Sequence, residues 1–481
     1  MQILIGIVAG VFVGHFHPDI GSQLKPFGDL FIIRVPIRCL VQYIRMGLGR
    51  GSFFEGAITR LASASTWDYP CRTEERDMDR SHDRIEKREQ SWYRERDCAL
   101  NEFVALLEDD DHGPTRYAAE ITQRIPIYDC PQLDGMTRDA SQRAQLQAEW
   151  ARVLHDGAGV LVLRRAFVDT GPVDDATAVF ESIIRSEREQ GSSAADHFAK
   201  AGANDRIWNA QEKLCLRAPE VFAEYFSNPM LMIMSEAWLG PCYQMTSQVN
   251  VVRPGGAAQQ AHRDYHLGFQ TAERAERYPA HVHRMSPFLT LQGAVAHSDM
   301  PVESGPTKLL PYSQRYHEGY LAWRRAEFRA YFEDHFVQLP LSKGDVVFFN
   351  PALFHAAGAN RTADVQRMAN LLQVSSAYGR AMEVLDRRGM CEALYPVLRE
   401  RRASGRISDT EITAAIASCA EGYPFPTKLD RDPPIGGLAP ESQQELMHRG
   451  LDEEWDPARF TLALNEHAAR HCSTNPQSGT S

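Results

Sequence analysis

His262, Asp264 and His355 have the residue types and spacing best suited to chemistry. His262-Arg263-Asp264 reads as the end of a strand. Residues two apart on a strand share a face, so His262 and Asp264 can reach one ion together. His355 comes much later, just past the apolar run Val346-Val347-Phe348-Phe349, and a returning strand can lay it beside the first pair. Two imidazoles and one carboxylate make the facial triad of a non-haem Fe(II) centre, which leaves three adjacent positions open. A His-x-Asp by itself is a weak signal; the residues that follow give it weight. Arg367 leads into the apolar stretch Met368 to Ser375. A guanidinium there can point into a barrel and pair bidentately with a carboxylate, and it would be costly to leave unpaired. The other readings are a solvent-facing strand-end charge at 367, or Arg361 as the anchor, in the polar turn after Gly358-Ala359-Asn360.

Neighbouring candidates have plainer readings. His266 lies four residues past His262 in an extended segment, so its reach to the same ion is poor. His281, His283 and His297 read as surface or outer groups. Arg263, Tyr265 and Trp323 read as core or rim packing before substrate contact.

The elements that must position these side chains follow from periodicity. Gln142 to Leu154 places Leu146, Trp150, Val153 and Leu154 at helical spacing, Gly157 ends that helix, and Val160-Leu161-Val162-Leu163 is a short buried strand. From Tyr243 the chain is rich in strands: Met245 to Val252, Ala261 to Leu267, Phe288 to Ala296, Thr307 to Leu310, Val337 to Leu339, Asp345 to Phe349 and Met368 to Ser375. Pro254-Gly255-Gly256, Ser304-Gly305-Pro306 and Lys343-Gly344-Asp345 mark turns. Many short antiparallel strands close economically as a double-sheet jelly roll. The expected fold is mixed α+β, a double-stranded β-helix core with flanking helices. Glu411 to Ala420 is the clearest later helix.

Domain organisation is read as three parts. Residues 1–115 form an N-terminal extension, apolar from Ile3 to Val13 and then charged and poorly ordered from Thr73 to Arg96. Residues 116–430 form the catalytic domain, and 431–481 a polar C-terminal tail. The apolar start is shorter than the ~20 residues that cross a bilayer and lacks a basic leader, so no stable membrane span is expected.

Of 481 residues, 43% are hydrophobic and 24% charged, with formal net charge −11 and pI near 5.9. That balance argues against a general nucleic-acid binder, which needs a basic surface. The nine cysteines are scattered singly, which fits reduced thiols in the cytoplasm better than a disulfide framework.

Residues from about Gln145 to Ser376 resemble the phytanoyl-CoA dioxygenase family of Fe(II)/2-oxoglutarate oxygenases, on landmarks that come in order. His155-Asp156-Gly157-Ala158-Gly159 runs into Val160-Leu161-Val162-Leu163. Gln248-Val249-Asn250 and Arg253-Pro254-Gly255 precede His262-x-Asp264. Glu303-Ser304-Gly305-Pro306 is followed by Leu310-Pro311-Tyr312-Ser313, then Gly344-Asp345, Phe349 and His355 through to Arg367. The resemblance implies Fe(II) on His262, Asp264 and His355, with Arg367 holding the distal carboxylate of 2-oxoglutarate. Gln248 is a further cosubstrate contact or a structural strand amide. The implied reaction is O2-dependent hydroxylation of a small-molecule substrate, with succinate and CO2 as co-products. A carboxylate at 264 favours hydroxylation over halogenation. Three departures stand out. Ala357 replaces a common hydroxyl residue, Arg367 is displaced by about one residue, and Arg315 and Tyr316 stand where a histidine usually closes the Pro-Gly-Ser turn. Two other readings remain: a cupin-like jelly-roll metalloenzyme without 2-oxoglutarate, and a catalytically silent binding protein. Separately, Met1 to Ile32 resembles the start of dicarboxylate/cation symporters, through residues 14–21 and Lys25-Pro26-Phe27-Gly28-Asp29. It is read as a fused or mis-started frame, and no transport function is carried over.

Overall fold

Alternation along the strands decides which side chains face which layer. In β5 (Gln244–Val252), Met245, Val249 and Val251 join one apolar cluster, while Thr246, Gln248 and Asn250 point to the opposite face. The computed structural model describes residues 91–108, 113–190, 204–436 and 438–471. These all lie in one compact unit, Ile85–Ser481.

The other strands are β1 (Glu120–Thr122), β2 (Ile125–Asp129), β3 (Val160–Arg164), β4 (Asn204–Ile207), β6 (Thr290–Ala296), β7 (Lys308–Leu310), β8 (Val346–Phe349), β9 (Phe354–Ala356) and β10 (Arg367–Ser375). Eight of them form one sheet in the order β1-β2-β3-β8-β6-β10-β5-β4, antiparallel except for the β2–β3 pair. β7 and β9 form a second sheet. Isolated bridges from His262 to His355 and from Leu309 to Val337 extend it on either side.

Helices cover the outer face of the large sheet. Trp150, Phe180, Phe222, Ile233, Leu394 and Ile416 pack there with the outward side chains of β3, β5, β6, β8 and β10. The inner face packs Val160, Val162, Ala294, Ala296, Val347 and Phe349 with Leu309, Phe354 and Ala356 of the small sheet. The structure is therefore mixed α/β, with a large, mostly antiparallel sheet between helices and a smaller sheet. No helix of the described residues is long and apolar enough to cross a membrane.

Most expected strands appear within two residues of their predicted ends, and two are shorter. Ala261–Leu267 reduces to a single bridge at His262, because Tyr265 and His266 take positive φ (62° and 43°) and Gly268 N–H donates back to Tyr265 O at 2.7 Å. Gly268 is needed for that turn, since a Cβ would lie 2.2 Å from Arg263 O. Val337–Leu339 likewise keeps only the Val337 bridge.

Both ends of the expected domain extend further than composition suggested. Residues 1–90 lie outside the described residues, but Leu100–Glu108 is a helix that buries Phe103 against Tyr316, Phe328 and Phe354. The 431–481 segment, expected as a polar tail, contains helices Gln443–Asp452 and Pro457–His471, whose Leu446, Met447, Leu451, Phe460 and Leu464 enter the main core. Its polar composition hides one apolar stripe per helix, and Ser442 with Glu445 closes a capping box at the first.

Candidate metal centre

The ligand triad is assembled by backbone pairing. His262 N–H donates to His355 O (3.0 Å) and His355 N–H to His262 O (3.2 Å), which sets the two imidazoles side by side with ring centroids 4.5 Å apart. Asp264 N–H donates to Pro351 O at 3.2 Å, so the segment stays against the turn that leads into β9 as its carboxylate turns to the same point. His262 Nε2 lies 3.6 Å from Asp264 Oδ1, and His355 Nε2 lies 3.3 Å from Asp264 Oδ2. One ligand atom from each residue falls within 4.8 Å of the others. Ligands at right angles around an ion with bonds of about 2.1 Å would lie about 3 Å apart, so a small inward adjustment suffices.

The protonation states suit a cation. His262 Nδ1 lies 2.8 Å from Gln260 O, and His355 Nδ1 lies 2.9 Å from Leu353 O. Each carbonyl holds a proton on Nδ1 and leaves the Nε2 lone pair facing inward. Burial pushes the His262 imidazole down, against the pull of Asp264, and so favours the neutral ring a metal requires. For Asp264, burial pushes upward, but positive charge at His262 and His355 and the Gln292 amide hold the carboxyl well below the ordinary range. A bound cation supplies that charge when the rings are neutral. Two neutral imidazoles and one carboxylate are the donor set that suits Fe(II).

Of two structural groups around the triad, sequence reasoning missed one and read the other only as a landmark of the resemblance. Gln292, on the inner face of β6, donates from Nε2 to Asp264 Oδ2 at 2.6 Å. Its inward parity on the expected strand Phe288 to Ala296 was the available signal. The Pro311-Tyr312-Ser313 turn grips both ligand segments. Ser313 O accepts from Arg263, while Ser313 Oγ accepts from Phe354 N–H at 2.8 Å, next to His355. Arg263 is thus a buried packing residue, as expected, and also ties the His-x-Asp segment to this turn.

Arg367 is buried and lies on the inner face of β10, in register with Val252. Its Nη1 donates to Ser304 O (3.1 Å) and Gly358 O (3.4 Å). No acidic side chain among the described residues pairs with it, and burial alone pushes the guanidinium down to about 10. Gly358 is three residues past His355, about 10 Å along an extended strand. A five-carbon dicarboxylate with one end on the triad can bridge that interval. Arg361 is exposed.

Gln248 faces the same interior, but its amide is engaged by Arg206 Nη1 (2.9 Å), Gln373 Oε1 (3.5 Å) and Glu383 Oε1 (3.3 Å). It stands four residues from Val252, the partner of Arg367. The other histidines are committed elsewhere. His266 meets Ser286 Oγ at 3.1 Å, and His283 meets Ala275 O at 3.0 Å. His297 lies between Thr177 and Tyr225, pushed down to about 3 by burial. His281 is exposed.

The phytanoyl-CoA dioxygenase family model matches this chain from residue 142 to residue 369, a span that contains the triad and Arg367. Residues 142–369 form a phytanoyl-CoA dioxygenase family domain. The domain is that of a 2-oxoglutarate-dependent oxygenase, with Fe(II), 2-oxoglutarate and O2 as its cofactors. Among solved structures, the non-haem α-ketoglutarate-dependent epimerase SnoN from nogalamycin biosynthesis is 19% identical over 50% of this chain and 84% of its own, with TM-score 0.33. The carbocyclase SnoK from the same biosynthesis is 20% identical over 50% and 86%, with TM-score 0.35. At the N-terminus, the C4-dicarboxylate transport protein of Rhodospirillum rubrum is 66% identical over 32 residues, and that of Sinorhizobium medicae 62%. The match spans 7% of this chain and 7% of each of those curated relatives, lies outside the described residues and carries no transport function here.

Proposed function

We propose that this protein hydroxylates a small-molecule substrate, releasing succinate and CO2, with His262, Asp264 and His355 as its Fe(II) ligands and Arg367 as the anchor for 2-oxoglutarate. The observation that carries the reading is Arg367, a buried guanidinium without an acidic partner, reaching Gly358 just past the strand that bears His355. A dicarboxylate cosubstrate provides the missing charge.

The bound metal with 2-oxoglutarate and O2 supplies the C–H oxidation chemistry. The chain's own residues do the rest. The carbonyls of Gln260 and Leu353 fix the imidazole tautomers, and Gln292 fixes the Asp264 carboxylate. Phe349, with its ring 4.8 Å from that of His355, together with inward Ala294, Ala296 and Val347, keeps the interior dry. Gln248 belongs on the substrate side, given its partners.

The pairing of β5, β6, β8 and β10 opposite β7, β9 and the bridges at His262 and Val337 supports a double-stranded β-helix. The thiols of Cys391 and Cys419, 3.9 Å apart and unbridged, support a reducing, cytoplasmic setting.

The test is 2-oxoglutarate turnover, scored as succinate, in the parent and in Arg367→Ala. Loss of a charge-assisted pair is expected to raise the KM for 2-oxoglutarate at least tenfold while Fe(II) binding stays intact. Unchanged 2-oxoglutarate turnover would remove Arg367 from the site, whereas a parent that releases no succinate would favour a metalloenzyme that does not use this cosubstrate.

A further inference from the structure

A stripe of polar side chains crosses the inner face of the large sheet, starting at the triad. Asp264 accepts from Gln292 Nε2. Gln292 is the direct cross-strand partner of Gln373, and Gln373 Oε1 lies 3.5 Å from Gln248 Nε2. Gln248 Nε2 also lies 3.3 Å from Glu383 Oε1, on the segment after β10. One row further along the sheet, the inward residues are Ala294 and Leu371, and then Ala296 and Ala369. On β6 and β10 these rows are apolar, while Gln248 and Asn250 of β5 and Arg206 of β4 carry the polarity across the neighbouring strands.

Two acceptors of this stripe lack a donor. Glu383 Oε1 is occupied, taking the Asn209 N–H at 2.8 Å as well as Gln248. Glu383 Oε2 is buried and has no hydrogen-bond partner, and no cation among the described residues lies within ion-pair distance. Of the two nearby cations, Lys213 is paired with Glu187 instead, and Arg206 donates from Nη1 to Gln248 Oε1 at 2.9 Å. Gln292 Oε1 is likewise buried without a partner. Its orientation is not arbitrary, because turning the amide round would set an oxygen against the Asp264 carboxylate. The Tyr265 hydroxyl, one residue past Asp264, is a third buried group without a partner. A buried carboxylate oxygen with no donor is costly, and a ligand that brings N–H donors and positive charge relieves that cost. An anionic ligand would worsen it.

Resting on the oxygenase reading above, we propose that Glu383 and the Gln292–Gln373–Gln248 stripe form the substrate subsite, and that the substrate is a small amine that presents its ammonium group to Glu383. The ammonium anchors one end, and the carbon to be oxidised lies back along the stripe towards the triad. Glu383 then acts as a specificity residue that sets which molecules enter, leaving the metal ligands to the chemistry.

The test uses the full chain loaded with Fe(II) and 2-oxoglutarate without O2, with the visible metal-to-cosubstrate charge-transfer band as the readout. A panel of primary amines, with the alcohol and carboxylate of matching carbon skeleton, is titrated against that band and against thermal stability. Binders are expected among the amines. Glu383→Gln, which keeps an oxygen for Asn209 N–H, is expected to weaken them at least tenfold while the band without substrate stays unchanged. Binders confined to alcohols or carboxylates, no amine that binds, or amines bound equally by Glu383→Gln would each overturn the proposal. A parent protein that develops no band would instead refute the oxygenase reading, and this inference with it.

Discussion

Arg263 is the residue through which the surrounding protein most directly holds the metal ligands. It stands between His262 and Asp264 at 2% exposure, donates from Nη2 to Ser313 O and, at 2.9 Å, to Tyr316 O, and lies 5.1 Å from the ring centroids of Tyr320 and Phe354. In Arg263→Met two effects oppose each other. Burial pushes the guanidinium down to about 10, which corresponds to about 3 kcal/mol against the charged form that methionine would remove. Methionine also leaves the two carbonyls without their donor, at about 1–3 kcal/mol each, while nearly conserving volume. Global stability is therefore expected to stay within about 3 kcal/mol of the parent. Metal affinity has no such compensation. The segment carrying His262 and Asp264 loses its tie to the turn that also holds Phe354, so Fe(II) affinity should fall about 10–100-fold, the range for groups that orient ligands. Denaturant melts of the metal-free protein, paired with anaerobic Fe(II) titration, separate the two quantities. A variant that is folded and binds Fe(II) as tightly as the parent would refute this account of Arg263.

Gln292→Leu removes the 2.6 Å donor to Asp264 and should weaken Fe(II) binding about 10-fold or more with little change in thermal stability, which equilibrium dialysis will report. Gly319→Ala places a Cβ 2.0 Å from Arg263 Cζ, a buried group with nowhere to move. It is expected to lower stability by about 1–3 kcal/mol in denaturant melts, and metal affinity with it. Phe103→Ala empties the contact with Tyr316, Phe328 and Phe354, and should destabilise the protein by about 3–5 kcal/mol in the same assay.

The three residues that the structure brings together were legible because the landmarks around them come in order. The His262-x-Asp264 spacing alone was a weak signal, and of the expected strand only the His262 bridge remains. Arg367 was legible because it opens an apolar strand on the inward parity. Ser313, Gly319 and Arg263 belong to contacts between segments about fifty residues apart, which no period within a window records. The strand at Asn204–Ile207 and the short β9 were missed because four and three residues are too few for alternation to emerge. The helices after residue 441 were missed because mean composition outweighed the single apolar stripe that buries Leu446, Met447, Leu451, Phe460 and Leu464.

Iron stoichiometry under anaerobic conditions, followed through the charge-transfer band with saturating 2-oxoglutarate, tests the assignment of the metal centre most directly. The parent chain should saturate at one Fe(II) per molecule, and His355→Ala and Asp264→Ala, checked for retained secondary structure, should show neither the band nor tight binding. Folded variants that still bind one Fe(II) and develop the same band would place the metal somewhere other than between these three side chains.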